Sequence, residues 1–215
     1  MNNEVLQSKR IKLRAFQKAD FIPFRNMNAD PRVMEHFLNP LSAEESDKFA
    51  DRIIQRMDAD GYGLWAVEQV DDSKFIGFCG LSSPNFQTYF TPCVEIGWRL
   101  SFDAWGHGYA TEAALAVLDL GFTRFKFPEI VSFTATTNNR SEKVMQKIGM
   151  KKIGEFQHPR ISTDHLLCQH VLYKITVDEF KQSVKREYIS PLTWHFTNMA
   201  LSEHHYYQNT GEIFQ

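Results

Sequence analysis

At 215 residues, with 43% apolar and 23% charged residues, the chain has an ordinary globular composition. It is long enough to bury a core without disulfides or metal, which excludes global disorder and a fibrous architecture. A formal charge of -2 with scattered lysines and arginines supplies no basic field for nucleic acid; no run reaches the roughly 20 apolar residues of a membrane span; and Met1 Asn2 Asn3 Glu4 lacks a signal-peptide apolar run, so a cytoplasmic location is expected.

Ile11, Leu13 and Ala15 alternate with Arg10, Lys12 and Arg14, the period of a half-buried strand over Arg10 to Ala15. Asp20 caps a short helix carrying Phe21, Phe24 and Met27, which stops before Pro31. Ser42 and Glu45 have capping-box spacing ahead of Phe49, Ile53 and Met57, and Gly61 ends that helix. Leu64 to Val70 and Phe75 to Leu81 read as an antiparallel pair around the turn Asp71 to Lys74. After a loop from Pro84 to Pro92, Cys93 to Leu100 is a strand whose internal Gly97 signals a bulge or a close backbone approach by a ligand. From Ala110 a helical stripe runs through Ala113, Val117, Leu120 and Phe122 and ends near Phe127, before Pro128. Then come strand Ile130 to Thr136, helix Ser141 to Ile148 closed by Gly149, strand Met150 to Phe156 and strand Leu166 to Ile175. A capping-box pair, Thr176 and Glu179, opens a short last helix. The order is that of a mixed α/β domain over residues 1–181, followed by an aromatic extension, 182–215, that carries Trp194, Phe196, Tyr206 and Tyr207.

The three cysteines, Cys79, Cys93 and Cys168, are widely spaced and form no Cys-x-x-Cys pair, which argues against a disulfide framework and a zinc site. They read as buried free thiols, with a Cys–His nucleophile left open as a spatial arrangement. His165 and His170 lie five apart on a predicted strand and so on opposite faces, which makes a metal site using both improbable. Trp65, Phe78 and Trp98 read as core aromatics rather than ligand walls.

The chemistry concentrates in one unit: strand Cys93 to Leu100, turn Ser101 to Gly108, helix from Tyr109. Gly106 and Gly108 let backbone approach a ligand, and the free amides of the helix's first turn point toward an anion, so a phosphate-bearing ligand suits the turn. A P-loop would need Gly-Lys-Ser/Thr where Gly108 Tyr109 Ala110 stands. A dinucleotide fingerprint would need a third glycine where Thr111 stands and an acidic residue about 20 positions on, where a strand lies.

With Leu13 Arg14, Glu95 to Leu100, Trp105 to Ala113, and Asn138 to Ser141 leading to Ile148 Gly149 Met150, the chain from about Arg10 to Phe180 resembles the GNAT N-acetyltransferase superfamily. Within it the likeness is to the ribosomal-protein N-terminal acetyltransferase branch, which includes relatives acting on small amines. The resemblance implies a mostly antiparallel central sheet flanked by helices, with a splayed pair of central strands, and acetyl-coenzyme A (acetyl-CoA) as acyl donor without a metal. Trp105, Gly106, His107, Gly108, Tyr109, Ala110 and Thr111 would cradle the pyrophosphate. Main-chain groups of Trp98, Arg99 and Leu100 would pair with pantetheine, Asn138 would bond its arm, and Ser141 would lie near the sulfur. A backbone N–H on the central strand would stabilise the oxyanion. Glu95 is the candidate base, directly or through water. Where many relatives carry a tyrosine acid this chain has Met145, leaving Ser141 or water in that role. Arg32, Glu35, His36 and Tyr62 are candidates for the acceptor pocket.

The expected reaction is acetyl transfer to a primary amine, a protein N-terminus or a small amine. The competing reading is an acyl-CoA-binding sensor or structural module without turnover. An α-amine of pKa about 8 needs less help from a weak base than a lysine-type amine near 10.4. The extension covers the domain's own surface or packs on a second copy, so the expected state is monomer or homodimer.

Overall fold

The computed structural model describes residues 5–187 and 195–197. Its first half comprises β1 (Val5–Gln7), β2 (Ile11–Arg14), α1 (Phe21–Ala29), α2 (Ala43–Asp60), β3 (Leu64–Gln69), β4 (Phe75–Ser82) and β5 (Glu95–Leu100). There follow α3 (Tyr109–Thr123), β6 (Glu129–Ala135), α4 (Asn139–Lys147), β7 (Lys151–Gln157), β8 (Gln169–Thr176), α5 (Val177–Glu187) and β9 (His195–Thr197). The nine strands form one sheet in the order β7-β8-β6-β5-β4-β3-β2-β1-β9. Every neighbouring pair is antiparallel except β5 with β6.

That exception shapes the molecule. β5 and β6 run parallel and are in register only at Glu95↔Val131, after which they diverge. The ladder between β4 and β5, by contrast, is unbroken from Ser82↔Glu95 to Gly77↔Leu100. Gly97 therefore makes no bulge, and the irregularity lies one strand over, between Val67 and Glu68 of β3. What remains at Gly97 is the second expected reading, backbone open to a ligand.

Apolar periodicity fixes the layers. The buried stripe of α3, Ala113 to Phe122, packs on one face of the sheet against Leu13, Trp65, Ile76, Leu81, Ile96 and Ile130. On the other face α1 and α2 bring Phe24 and Phe49 onto Phe16, Phe75 and Phe78, with ring centroids 5.4 to 6.2 Å apart. Phe86, Phe90, Phe133 and Phe156 form a third cluster around β6 and β7. Both capping boxes form: Glu45 N donates to Ser42 Oγ at 3.2 Å, and Glu179 N donates to Thr176 Oγ1 at 3.3 Å.

Several boundaries differ from expectation, among them the start of β5, at Glu95 rather than Cys93. Helix α3 ends at Thr123 rather than near Phe127, because the chain reverses at Lys126 (φ 57°) to lay Phe125 and Phe127 on Tyr62. The strand expected from Leu166 begins at Gln169. Residues 158–168 instead close a loop in which His158 N donates to Cys168 O at 2.8 Å, leaving Leu166 exposed. Helix α4 starts at Asn139, two residues early, because the Asn138 side chain caps it by accepting from Ser141 N at 3.2 Å.

The short strands β1 and β9 carry too few residues to show a period. β9 brings part of the C-terminal extension alongside β1, pairing Val5↔Thr197 to Gln7↔His195, and α5 runs through position 181. Trp194, Tyr206 and Tyr207 lie outside the described residues. No helix among the described residues is long and apolar enough to cross a membrane.

Candidate active site

The turn between β5 and α3 is built for an anion. Gly106 and Gly108 both adopt φ 82°, a left-handed conformation that a side chain disfavours, and around Gly106 there is open space where a Cβ would stand. Gly108 begins α3 with no side-chain cap, so the first amides of the helix are left to an outside acceptor. The turn is braced from the connection between β1 and β2. Arg10 Nε donates to Glu112 Oε2 at 2.8 Å, Arg10 Nη1 donates to His107 O at 3.0 Å, and Ser8 Oγ donates to Glu112. Trp105 Nε1 donates to Leu100 O at 2.9 Å, tying the turn to the end of β5.

The divergence of β5 and β6 opens a cleft of about 490 Å³. Trp98, Arg99, Leu100, Trp105, Gly106, Gly108, Tyr109, Ala110, Thr111, Asn138 and Ser141 all line it, as does Glu95. His107 takes part through its carbonyl, while its ring stacks 5.7 Å from that of Tyr109, outside the lining. Glu95 is 6% exposed, its Oε2 has no hydrogen-bond partner among the described residues, and burial pushes its pKa up from 4.5 to about 8. A carboxylate that titrates near the working pH and opens into a cleft is suited to taking a proton.

Asn138 Nδ2 donates to Thr134 Oγ1 at 2.9 Å and to Ser141 Oγ at 3.2 Å, so the loop before α4 is fixed at the cleft wall. Of the four acceptor-pocket candidates only His36 joins the lining; its Nδ1 lies 3.2 Å from Thr137 Oγ1, and burial lowers its pKa. Glu35 stands at the mouth, 3.6 Å from the lining residue Arg140. Arg32 stacks 3.9 Å over Phe102 and pairs with Asp30, outside the lining. Tyr62 is a correction: it packs on Phe125 and Phe127 beneath α3, because the end of that helix turns back to cover it.

Several lining residues escaped the sequence reading. Phe78, read as core, lines the cleft, as does Trp98, expected there through its main chain with its ring read as core, whereas Trp65 is core at 2% exposure. Arg140, Lys143 and Lys147 line it from α4, at helical three- and four-residue spacing that could have signalled a shared basic face. His158 and His170 line it with rings 5.0 Å apart. His158 is pushed down to about 4 by burial and by its neighbours His170 and Arg160, and burial also lowers His170, so both are neutral at pH 7. They are brought together by the 158–168 loop. Cys93, half-buried, is pushed up to about 12 by burial and by nearby Glu95 and Glu129, and burial raises Cys79, so neither is an activated thiolate. Among the described residues no group of three or more His, Cys, Asp or Glu side chains is arranged to hold a metal ion.

The family profile described as acetyltransferase (GNAT) domain matches residues 10–151, from the arginine that braces the turn to the start of β7. The chain belongs to the GNAT acetyltransferase family. Among curated GNAT-like relatives it is 30% identical over 146 residues to the uncharacterised protein YkkB of Bacillus subtilis, covering 67% of this chain and 84% of that protein. The fold is shared with the ribosomal-protein-S5-alanine acetyltransferase of Vibrio fischeri, at TM-score 0.64, 17% identity, 82% of this chain and 98% of that one. It is also shared with a spermidine N-acetyltransferase of Vibrio cholerae solved with CoA and spermine, at TM-score 0.64, 18% identity, 80% of this chain and 98% of that one. This GNAT chain is therefore an acetyltransferase whose cleft is formed by the diverging strands and the glycine turn.

Proposed function

We propose that the protein transfers the acetyl group of acetyl-CoA to a primary amine, with Glu95 taking the proton. The observation that carries this reading is the buried, unpartnered Glu95 Oε2 in the cleft where β5 parts from β6. The residues fit the donor: uncapped amides and two left-handed glycines for a pyrophosphate, and a β5 edge beyond Glu95 without β6 partners for an extended pantetheine arm. Bound acetyl-CoA supplies an activated acyl carbonyl.

The chain's own groups do the rest. Glu95 accepts a proton from the amine as the C–N bond forms and the C–S bond breaks, and the sulfur leaves as a thiolate. A thiolate of cysteine-like pKa, about 8.5, departs without a strong acid, so Met145 in place of an acidic side chain is no obstacle. Ser141 Oγ, held by Asn138, is the group we assign to the sulfur. Lys143 and Lys147 supply positive charge beside the donor phosphates.

The acceptor class we favour is an α-amine, as in the ribosomal-protein branch, because a base of pKa about 8 matches an amine of similar pKa better than one near 10.4. Thiol release from acetyl-CoA, measured over a panel of α-amines, polyamines and aminoglycosides, tests the reading. Turnover that falls about a hundredfold in Glu95→Gln supports it. Coenzyme A binding without turnover on any amine supports the sensor reading instead.

A further inference from the structure

On β5, Glu95, Gly97 and Arg99 share one face, opposite Ser82, Gly80 and Phe78 of β4. Arg99 is 5% exposed, yet among the described residues no carboxylate pairs with it. Its Nη1 donates to Asn28 Oδ1 at 2.7 Å, and Asn28 is in turn oriented by donating from Nδ2 to Ser46 Oγ at 2.9 Å. The guanidinium stacks 4.0 Å over the Phe37 ring, also near Phe78, and its Nε is buried without a partner. Phe37, Phe78 and Arg99 all line the cleft.

Burying an arginine without a counter-charge costs several kcal/mol, and one amide and ring faces offset only part of that. A hydrophobic side chain would serve packing better. Burial pulls Arg99 down to about 9, so it is still a cation at pH 7, held in place with an Nε–Nη2 edge whose Nε is buried without a partner among the described residues. That edge matches a planar carboxylate, the ligand that guanidinium binds in bidentate fashion.

We propose that the acceptor is a small amine that also carries a carboxylate, with the carboxylate on Arg99 and the amine at Glu95; this rests on the acetyltransferase reading above. Gly97 between them leaves a smooth floor. Four residues of strand separate the two Cα atoms by roughly 13 Å, so amine and carboxylate lie several bonds apart. A short peptide, whose α-amine and terminal carboxylate stand several bonds apart, spans the site better than a free α-amino acid. A polyamine presents only positive charge to Arg99 and is disfavoured.

The test compares thiol release by the full chain for matched acceptors: di- and tripeptides as free acids, and the same compounds as carboxamides. The free acids are expected to show at least about ten-fold higher kcat/KM, carried by KM, equivalent to about 1.4 kcal/mol. Arg99→Gln should erase that preference and Arg99→Lys should restore part of it. Equal rates for wild-type acid and amide overturn the proposal without needing a folded variant, as does an acid preference that survives in Arg99→Gln. Those results leave the acetyltransferase reading intact. No thiol release with any acceptor, from protein that binds coenzyme A, overturns both.

Discussion

Glu95 and Arg99 are two ionisable side chains on one strand face, each buried and, among the described residues, neither paired with an opposite charge. For Glu95 the consequence is measurable in stability as well as rate. Its folded pKa of about 8 lies above the ordinary 4.5, so the protonated form is the one that folding favours. The unliganded protein is then fully stable in this respect below pH about 4.5 and loses stability as pH rises toward 8. Glu95→Gln should remove that loss: its melting temperature should exceed that of the wild type at pH 8 and match it at pH 4.5. A wild type that is the more stable at pH 8 would contradict the burial argument. The rate should move the other way. Log kcat/KM should rise with a limiting slope of about two while base and amine both titrate, and of about one in Glu95→Gln. Glu95 was named through the resemblance, from its place on the strand expected to bind pantetheine. Arg99 was read only for its backbone, although strand parity places its side chain beside that of Glu95. Tyr62 was misplaced because nothing local shows that the end of α3 folds back on it.

At the scale of elements, the β5–turn–α3 unit is held because its glycines keep a conformation other residues resist and because Arg10 and Glu112 bind it to the β1–β2 connection. Gly108→Ala should cost about 1 kcal/mol through its left-handed φ and raise KM for acetyl-CoA more than KM for the amine. Equal rises in both would argue against a donor-binding turn. Asn138→Ala removes the α4 cap and should cost about 1 kcal/mol in thermal unfolding, with acetyl-CoA affinity weakened as the cleft wall loosens. Unchanged values in both would contradict its bracing role. The long helices and the hairpin were legible because period and caps agreed over many residues. The helix α4 boundary was not, since asparagine caps less visibly in sequence than a serine with a glutamate three places on. The 158–168 loop was not either, because Leu166 to Cys168 has strand-like composition, and the turn bonds that fold the segment, such as Cys168 N to His165 O, are not signalled by residue type.

Across the whole molecule, one sheet carries the glycine turn and the cleft at a single parallel junction, and a largely aliphatic cluster under α3 with two phenylalanine-rich clusters holds its layers. The mixed sheet and splayed strands were expected from ordered motifs, whereas the three-cluster core was not, since eighteen phenylalanines show abundance and no partners. We keep the division into a catalytic domain and a C-terminal extension as a proposal. Truncation after Glu187 removes β9 from the β1 edge, and should lower the melting temperature while leaving the number of subunits per particle unchanged. A halved mass would assign the extension to a dimer interface. The central claim is that acetyl-CoA lies along the diverging edge of β5 with its phosphates on the turn. Amide hydrogen exchange of the full chain with and without coenzyme A tests it most directly. Protection is expected at residues 98–100 and 105–111, with little change across β1 to β3. Protection confined to other strands, or none at saturating coenzyme A, would contradict it.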